Sequence, residues 1–136
     1  MKTIAKNLVL FLSLFFMTAS CSKDDDNNGG SNNSGSRAVK YEITGNYSGR
    51  FTVVYTDGGG AMITEDITSL PWVKEFTAAS NVQVVGFTAG SSHGGPENNG
   101  QTLAGKIYIG GREERTASAT SNDIGYFSLN PQYYQF

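Results

Sequence analysis

The chain has 136 residues, enough for one domain, and only 16% of them are charged, against roughly 25% in an average soluble chain. This low charge and the 17 glycines argue against a helical bundle or a coiled coil. Ten basic and 12 acidic residues give a net charge of −2, which excludes the basic surface that nucleic-acid binding requires. One cysteine excludes an internal disulfide and one histidine excludes most zinc sites, so we expect no metal and no cofactor.

The amino terminus has the pattern of a secretory signal. Lys2 and Lys6 form a short basic region, and the apolar run LVLFLSLFFM (8–17) follows. A membrane-spanning helix needs about 20 apolar residues, whereas a run of this length is typical of a signal-peptide core. Small residues at 18–20 suit a signal peptidase site. We therefore predict a signal peptide over residues 1–20, whose removal leaves 136 − 20 = 116 residues.

The cysteine of the chain, Cys21, directly follows this segment. The arrangement resembles a bacterial lipoprotein signal, in which the cysteine becomes the first residue of the mature chain and is acylated with palmitate or similar chains. Such signals usually carry Leu where this chain has Thr18. Each buried methylene contributes about 0.8 kcal/mol, so a multiply acylated Cys21 would hold the protein on a membrane. The alternative is an incidental thiol behind an ordinary signal.

The next segment, residues 22–37 (SKDDDNNGGSNNSGSR), contains no aliphatic or aromatic side chain. It cannot bury enough apolar surface to offset the entropy lost on ordering, so we predict a disordered tether over 21–37. Its acidic cluster resembles the export tags of Bacteroidetes surface lipoproteins, which implies an outer-membrane, surface-exposed location. The alternative is that these charges only keep the tether solvated. The candidate tag comprises Lys23, Asp24, Asp25 and Asp26.

From Ala38 onward, apolar and polar residues alternate in short segments, as in half-buried strands. Residues 49–68 predict a hairpin around the turn at 57–60, and Gly110-Gly111 predicts a second tight turn. Seven or eight strands in about 99 residues predict an all-β, antiparallel β-sandwich over 38–136. The remaining strands are expected at 39–44, 73–77, 82–89, 103–109, 112–120 and 124–129.

Four segments carry a resemblance to a known family: VKYEITGN (39–46), TVVYTDGGG (52–60), SLPWVKEF (69–76) and IYIGGRE (107–113). Together they resemble the domain of the small mycobacterial membrane proteins called MmpS and of lipid-anchored Bacteroidetes proteins. The resemblance implies an immunoglobulin-like sandwich tethered at its amino terminus. MmpS proteins assist lipid and siderophore exporters, but they carry an uncleaved helix and commonly a disulfide, neither of which this sequence predicts.

Trp72 follows Pro71, which lacks a backbone donor and suits the start of a strand. In a domain of this size a tryptophan is a large part of the core, and we predict that Trp72 is a core anchor rather than a ligand platform.

The sequence offers little for catalysis. His93 lies in a polar segment expected to be a solvated loop (90–100), and its neighbours Ser91, Ser92 and Glu97 would need a rigid frame to form a Ser-His-acid relay. The adjacent carboxylates Glu65-Asp66 and Glu113-Glu114 point to opposite faces of a strand, so neither pair forms a dyad by itself. We expect that the protein is not an enzyme.

The carboxyl-terminal segment holds five aromatic residues between Tyr126 and Phe136. Tyr133 and Tyr134 are candidates for a contact surface; the alternative is that the aromatics close the core and cover an edge strand. The sequence predicts a lipid-anchored cell-envelope binding or structural module without catalysis, held on the membrane through Cys21. Two alternatives stay open: an accessory subunit of an envelope transporter, and a carbohydrate- or host-surface-binding module. Its partner would accordingly be an envelope protein or a glycan.

Overall fold

A computed structural model describes residues 35–136 of the chain, so the predicted signal peptide, Cys21 and the candidate tag at 23–26 lie outside the described residues. Eight β-strands account for most of this part, and a 3-10 helix (Pro96–Asn98) lies between the fifth and sixth. The strands are β1 (Ala38–Gly45), β2 (Arg50–Thr56), β3 (Met62–Ile67), β4 (Trp72–Thr77), β5 (Val84–His93), β6 (Thr102–Ile109), β7 (Arg112–Thr120) and β8 (Ser128–Gln135).

Two antiparallel sheets form the predicted β-sandwich, which is thereby confirmed. One has the strand order β4–β1–β6–β7 and the other β3–β2–β5–β8. Strands β1 and β4 are paired in one sheet, as strands B and E are in an immunoglobulin domain. Strands β2 and β5 are paired in the other sheet, as strands C and F are in that domain. The chain differs beside β1, where the β6–β7 hairpin occupies the place that strand A has in that domain.

The core consists of the inward-facing side chains of both sheets, and aromatic residues dominate its centre. The Tyr41 ring lies 5.3 Å from both the Phe76 and Phe87 rings, and its hydroxyl donates a hydrogen bond to the Thr56 carbonyl at 3.0 Å. Burial raises the pKa of Tyr41 well above its usual range. Trp72 is buried, with its ring 5.6 Å from that of Tyr55, so the prediction of a core anchor is confirmed.

Both predicted hairpin turns are present. Between β2 and β3 the Asp57 carboxylate accepts hydrogen bonds from the backbone N–H groups of Gly59 and Ala61. Between β6 and β7, Gly110 and Gly111 have φ values of 58° and 83°, as a two-residue type I′ turn requires.

Two predicted boundaries are wrong. The polar segment at 90–100 is a loop only in part, because β5 extends to His93 by pairing with β2, including Gly90 with Thr52 and His93 with Arg50. The last strand does not cover 124–129 but runs from Ser128 to Gln135 along β5. Pro131 is tolerated there because β8 is an edge strand whose pairing with β5 is irregular at that point.

Arg37, predicted to belong to the tether, is instead fixed to the domain. Its guanidinium donates hydrogen bonds to the carbonyls of Ala78, Ala79 and Val82 and lies 4.0 Å from the centre of the Phe136 ring. The chain therefore enters the sandwich at the end where β4 connects to β5.

Each of two edge strands carries an inward-facing charged side chain, and the two charges have opposite signs. Glu65 on β3 and Lys74 on β4 form a salt bridge at 2.9 Å between the two sheets. Charges that face inward at a sheet edge discourage the addition of a further strand. The Lys74 ammonium also lowers the pKa of Glu65 below its usual value.

This salt bridge predicts a small pH dependence of stability. A lowered folded-state pKa means that ionised Glu65 stabilises the fold above its unfolded pKa of about 4.3, and that this contribution is lost as the pH falls through the lowered value. The exposed fractions of the two side chains, 37% for Lys74 and 35% for Glu65, imply strong solvent screening. Between pH 7 and pH 3, the free energy of unfolding measured in urea should fall by about 0.5 kcal/mol more for the parent than for Glu65→Gln. Equal losses would contradict the assignment.

Candidate contact surface

The outer face of the β4–β1–β6–β7 sheet is charged, and several of its charges form ion pairs. Lys106 and Glu113 are 2.7 Å apart, and Lys40 lies 3.4 Å from Glu42 and 4.1 Å from the centre of the Tyr108 ring. Such exposed pairs contribute little energy but make a well-solvated surface.

The outer face of the β3–β2–β5–β8 sheet is different in kind, and we call it the threonine face. Because Phe51, Val53 and Tyr55 of β2 point into the core, the residues between them point outward. The register of the sheet extends this surface across all four strands. Its residues are Met62, Thr64 and Asp66 of β3, Arg50, Thr52, Val54 and Thr56 of β2, Val84, Gly86, Thr88 and Gly90 of β5, and Ser128, Tyr133 and Gln135 of β8.

Asp66 and Arg50 are the charged residues of this face, and the Asp66 carboxylate accepts a hydrogen bond from the Thr52 hydroxyl at 2.8 Å. Glu65, the preceding residue, faces inward, so the prediction that these adjacent carboxylates point to opposite faces is confirmed. In β7, Glu113 pairs with Lys106 and Glu114 with Arg112, and Glu114 lies at a shift in the register between β6 and β7.

A groove crosses the threonine face at Gly90. It has a volume of about 320 Å³, and Thr52, Thr88 and Ser128 contribute hydroxyl groups to its lining. Asp66, Thr52, Gly90 and Ser128 lie in one row across the four strands. A Cβ atom at Gly90 would have the Phe127 carbonyl oxygen, 3.8 Å away, as its nearest neighbour, so the groove exists because this position lacks a side chain.

Tyr133 and Tyr134 do not form one surface. As neighbours in β8 they point to opposite sides: the Tyr133 ring is 60% exposed on the threonine face and covers Gly86. Tyr134 is half-buried against the core, with its ring 5.3 Å from that of Phe136. Tyr134 therefore packs against the core, whereas Tyr133 is exposed and its contact role stays a prediction.

Of the residues considered for a Ser-His-acid relay, Ser91 makes hydrogen bonds within the fold, and Ser92, His93 and Glu97 are exposed. The Ser91 hydroxyl accepts a hydrogen bond from the Phe127 N–H at 2.7 Å and lies 3.2 Å from the Tyr47 hydroxyl. His93 is exposed at the end of β5. Ser91 therefore joins the β5 strand to the segment before β8.

Known proteins do not assign this surface, since the sequence matches neither a protein-family model nor a curated protein. Within residues 35–136, no three side chains are grouped as metal ligands. None of the helices described for the chain is sufficiently long and apolar to cross a membrane.

Proposed function

We propose that the chain is a lipid-anchored cell-envelope module that binds its partner through the threonine face and has no catalytic activity. The observation that carries the contact role is the difference between the two outer faces: one bears several charged side chains on β4, β1, β6 and β7, and the other bears only Asp66 and Arg50 over four strands. The anchor at Cys21 rests on the signal pattern of residues 1–20.

The composition of the threonine face suits binding. Binding surfaces are depleted in charge at their centre and enriched in tyrosine, whereas a solvated surface is roughly 25–35% charged. Met62, Val84 and Tyr133 are exposed by 69%, 43% and 60% on this face, and they add apolar area to its hydroxyl groups. The rigid strands that carry these side chains keep the surface preorganised.

The anchor is tested by fractionating cells. Cys21→Ala should move the protein from the membrane to the soluble fraction and abolish labelling with a fatty-acid analogue, because the acyl chains supply the membrane affinity. Ser22→Ala, one position later, is the matched control and should remain membrane-bound. Unchanged membrane retention of Cys21→Ala would contradict the proposal.

A further inference from the structure

We infer that the groove at Gly90 binds a neutral glycan, with Tyr133 as a stacking platform farther along the same face. This inference rests on the proposed contact function and names its ligand class.

The groove offers hydrogen-bonding groups in a form that suits sugar hydroxyls. The Thr52 hydroxyl donates to Asp66 and the Thr88 hydroxyl donates to the Leu129 carbonyl at 2.9 Å, so both oxygens face a ligand as acceptors. Ser128, in the same row as Gly90, adds a hydroxyl that can donate or accept. A sugar hydroxyl, which donates and accepts, is complementary to this set.

The balance of charge around the groove favours a neutral ligand. Asp66 is a carboxylate beside the groove, Arg50 lies two residues before Thr52 on the same face, and the groove lining itself contains no charged residue. With one nearby charge of each sign and none in its lining, the groove has no net charge to attract a phosphate, sulfate or uronate. A single carboxylate that already accepts one hydrogen bond can still accept another from a sugar hydroxyl.

The geometry favours an extended chain of sugars over a protein partner. Gly86 and Gly90 are four positions apart in β5, which corresponds to about 13 Å along the strand. Tyr133 covers Gly86 and leaves its ring 60% exposed, so the C–H face of one sugar can stack there while another lies in the groove. The hydroxyl-lined floor lacks the apolar pocket that anchors a typical protein–protein hot spot.

Affinity electrophoresis of the full chain in detergent tests the inference, with gels containing dextran, a β-glucan or a mannan, and polygalacturonate as the anionic probe. At least one neutral polysaccharide should retard the parent protein. Gly90→Val should weaken that binding at least about tenfold, because its side chain fills the groove. The fold should tolerate this change, since a Cβ at Gly90 makes only ordinary contact.

Two further variants complete the experiment. Ala104→Val adds bulk on the outer face of the other sheet and should bind like the parent. Tyr133→Ala removes the exposed ring and should weaken binding several-fold, which keeps the inference testable if Gly90→Val folds poorly.

Each other outcome overturns the glycan assignment. The assignment fails if none of the neutral polysaccharides retards the parent protein, or if polygalacturonate alone does. It also fails if Gly90→Val and Tyr133→Ala both bind with the affinity of the parent. Capture of an envelope protein that Gly90→Val abolishes would replace the glycan with a protein while the contact surface stands. The Cys21→Ala fractionation is independent of these results, so failure of the ligand class and failure of the anchor can be distinguished.

Discussion

Replacing Trp72 with Ala is expected to lower the free energy of unfolding by about 3–5 kcal/mol, a large part of the stability of a small domain. Trp72 is 6% exposed and packs its ring against Tyr55 and Phe87, so the substitution leaves a cavity between the sheets. Urea unfolding followed by circular dichroism measures the loss.

Two controls separate packing from other effects of this site. Val73→Ala alters the next residue of β4, which is 44% exposed, and should change stability by less than about 0.5 kcal/mol. Trp72→Phe retains an aromatic ring and should cost about 1–2 kcal/mol. The smaller cost is expected because a phenyl ring fills much of the space that Ala leaves empty. A Trp72→Ala protein that unfolds like Val73→Ala would contradict the core assignment.

The sandwich could be predicted because its strands depend on local pattern. Val39, Tyr41 and Ile43 alternate with polar residues, and the same period in β2 determines which side chains face the core. The Gly110-Gly111 turn is equally local, since its positive φ values require residues such as glycine.

The errors in the strand boundaries arise where pairing with a neighbouring strand, rather than alternation of apolar and polar residues, extends a strand. His93 is in β5 because Arg50 of β2 lies opposite it, and the 90–93 segment alone has no apolar alternation. Pro131 argues against a strand in the sequence, but an edge position beside a bulge accommodates it. By composition Arg37 belongs to a polar tether, because the carbonyls that accept its hydrogen bonds lie 41 and 42 residues farther along the chain and come close to it only in the fold.

Of the residues on the threonine face, the sequence analysis proposes only Tyr133 for a contact surface. The groove residues Thr52, Gly90 and Ser128 come from three strands, and no spacing along the chain relates them. Two signals are present in the sequence: the polar residues of β2 after Arg50 are threonines, and glycine interrupts the alternation of β5 twice. An isolated glycine within a strand often marks a close approach or an open site, but the register is needed to show what lies beside it.

The turn before β8 predicts the second large effect. Gly125 has φ +79°, and a Cβ atom there would overlap the backbone of Gly95 in the neighbouring loop. The Gly125 carbonyl also accepts a hydrogen bond from the buried Tyr47 hydroxyl at 2.8 Å. Any shift of the turn that relieves the overlap therefore also strains this hydrogen bond.

Gly125→Ala should lower the free energy of unfolding by about 3–5 kcal/mol, from left-handed strain and overpacking together. Gly111→Ala is the matched comparison: its φ is +83°, but a Cβ there would have no atom within 4 Å. It should cost only the strain, about 1–2 kcal/mol. Equal losses in the two proteins would show that the contact with Gly95 is unimportant. A larger loss for Gly125→Ala, measured by urea unfolding, would show that packing between the two loops holds the end of the sandwich opposite Arg37 in place.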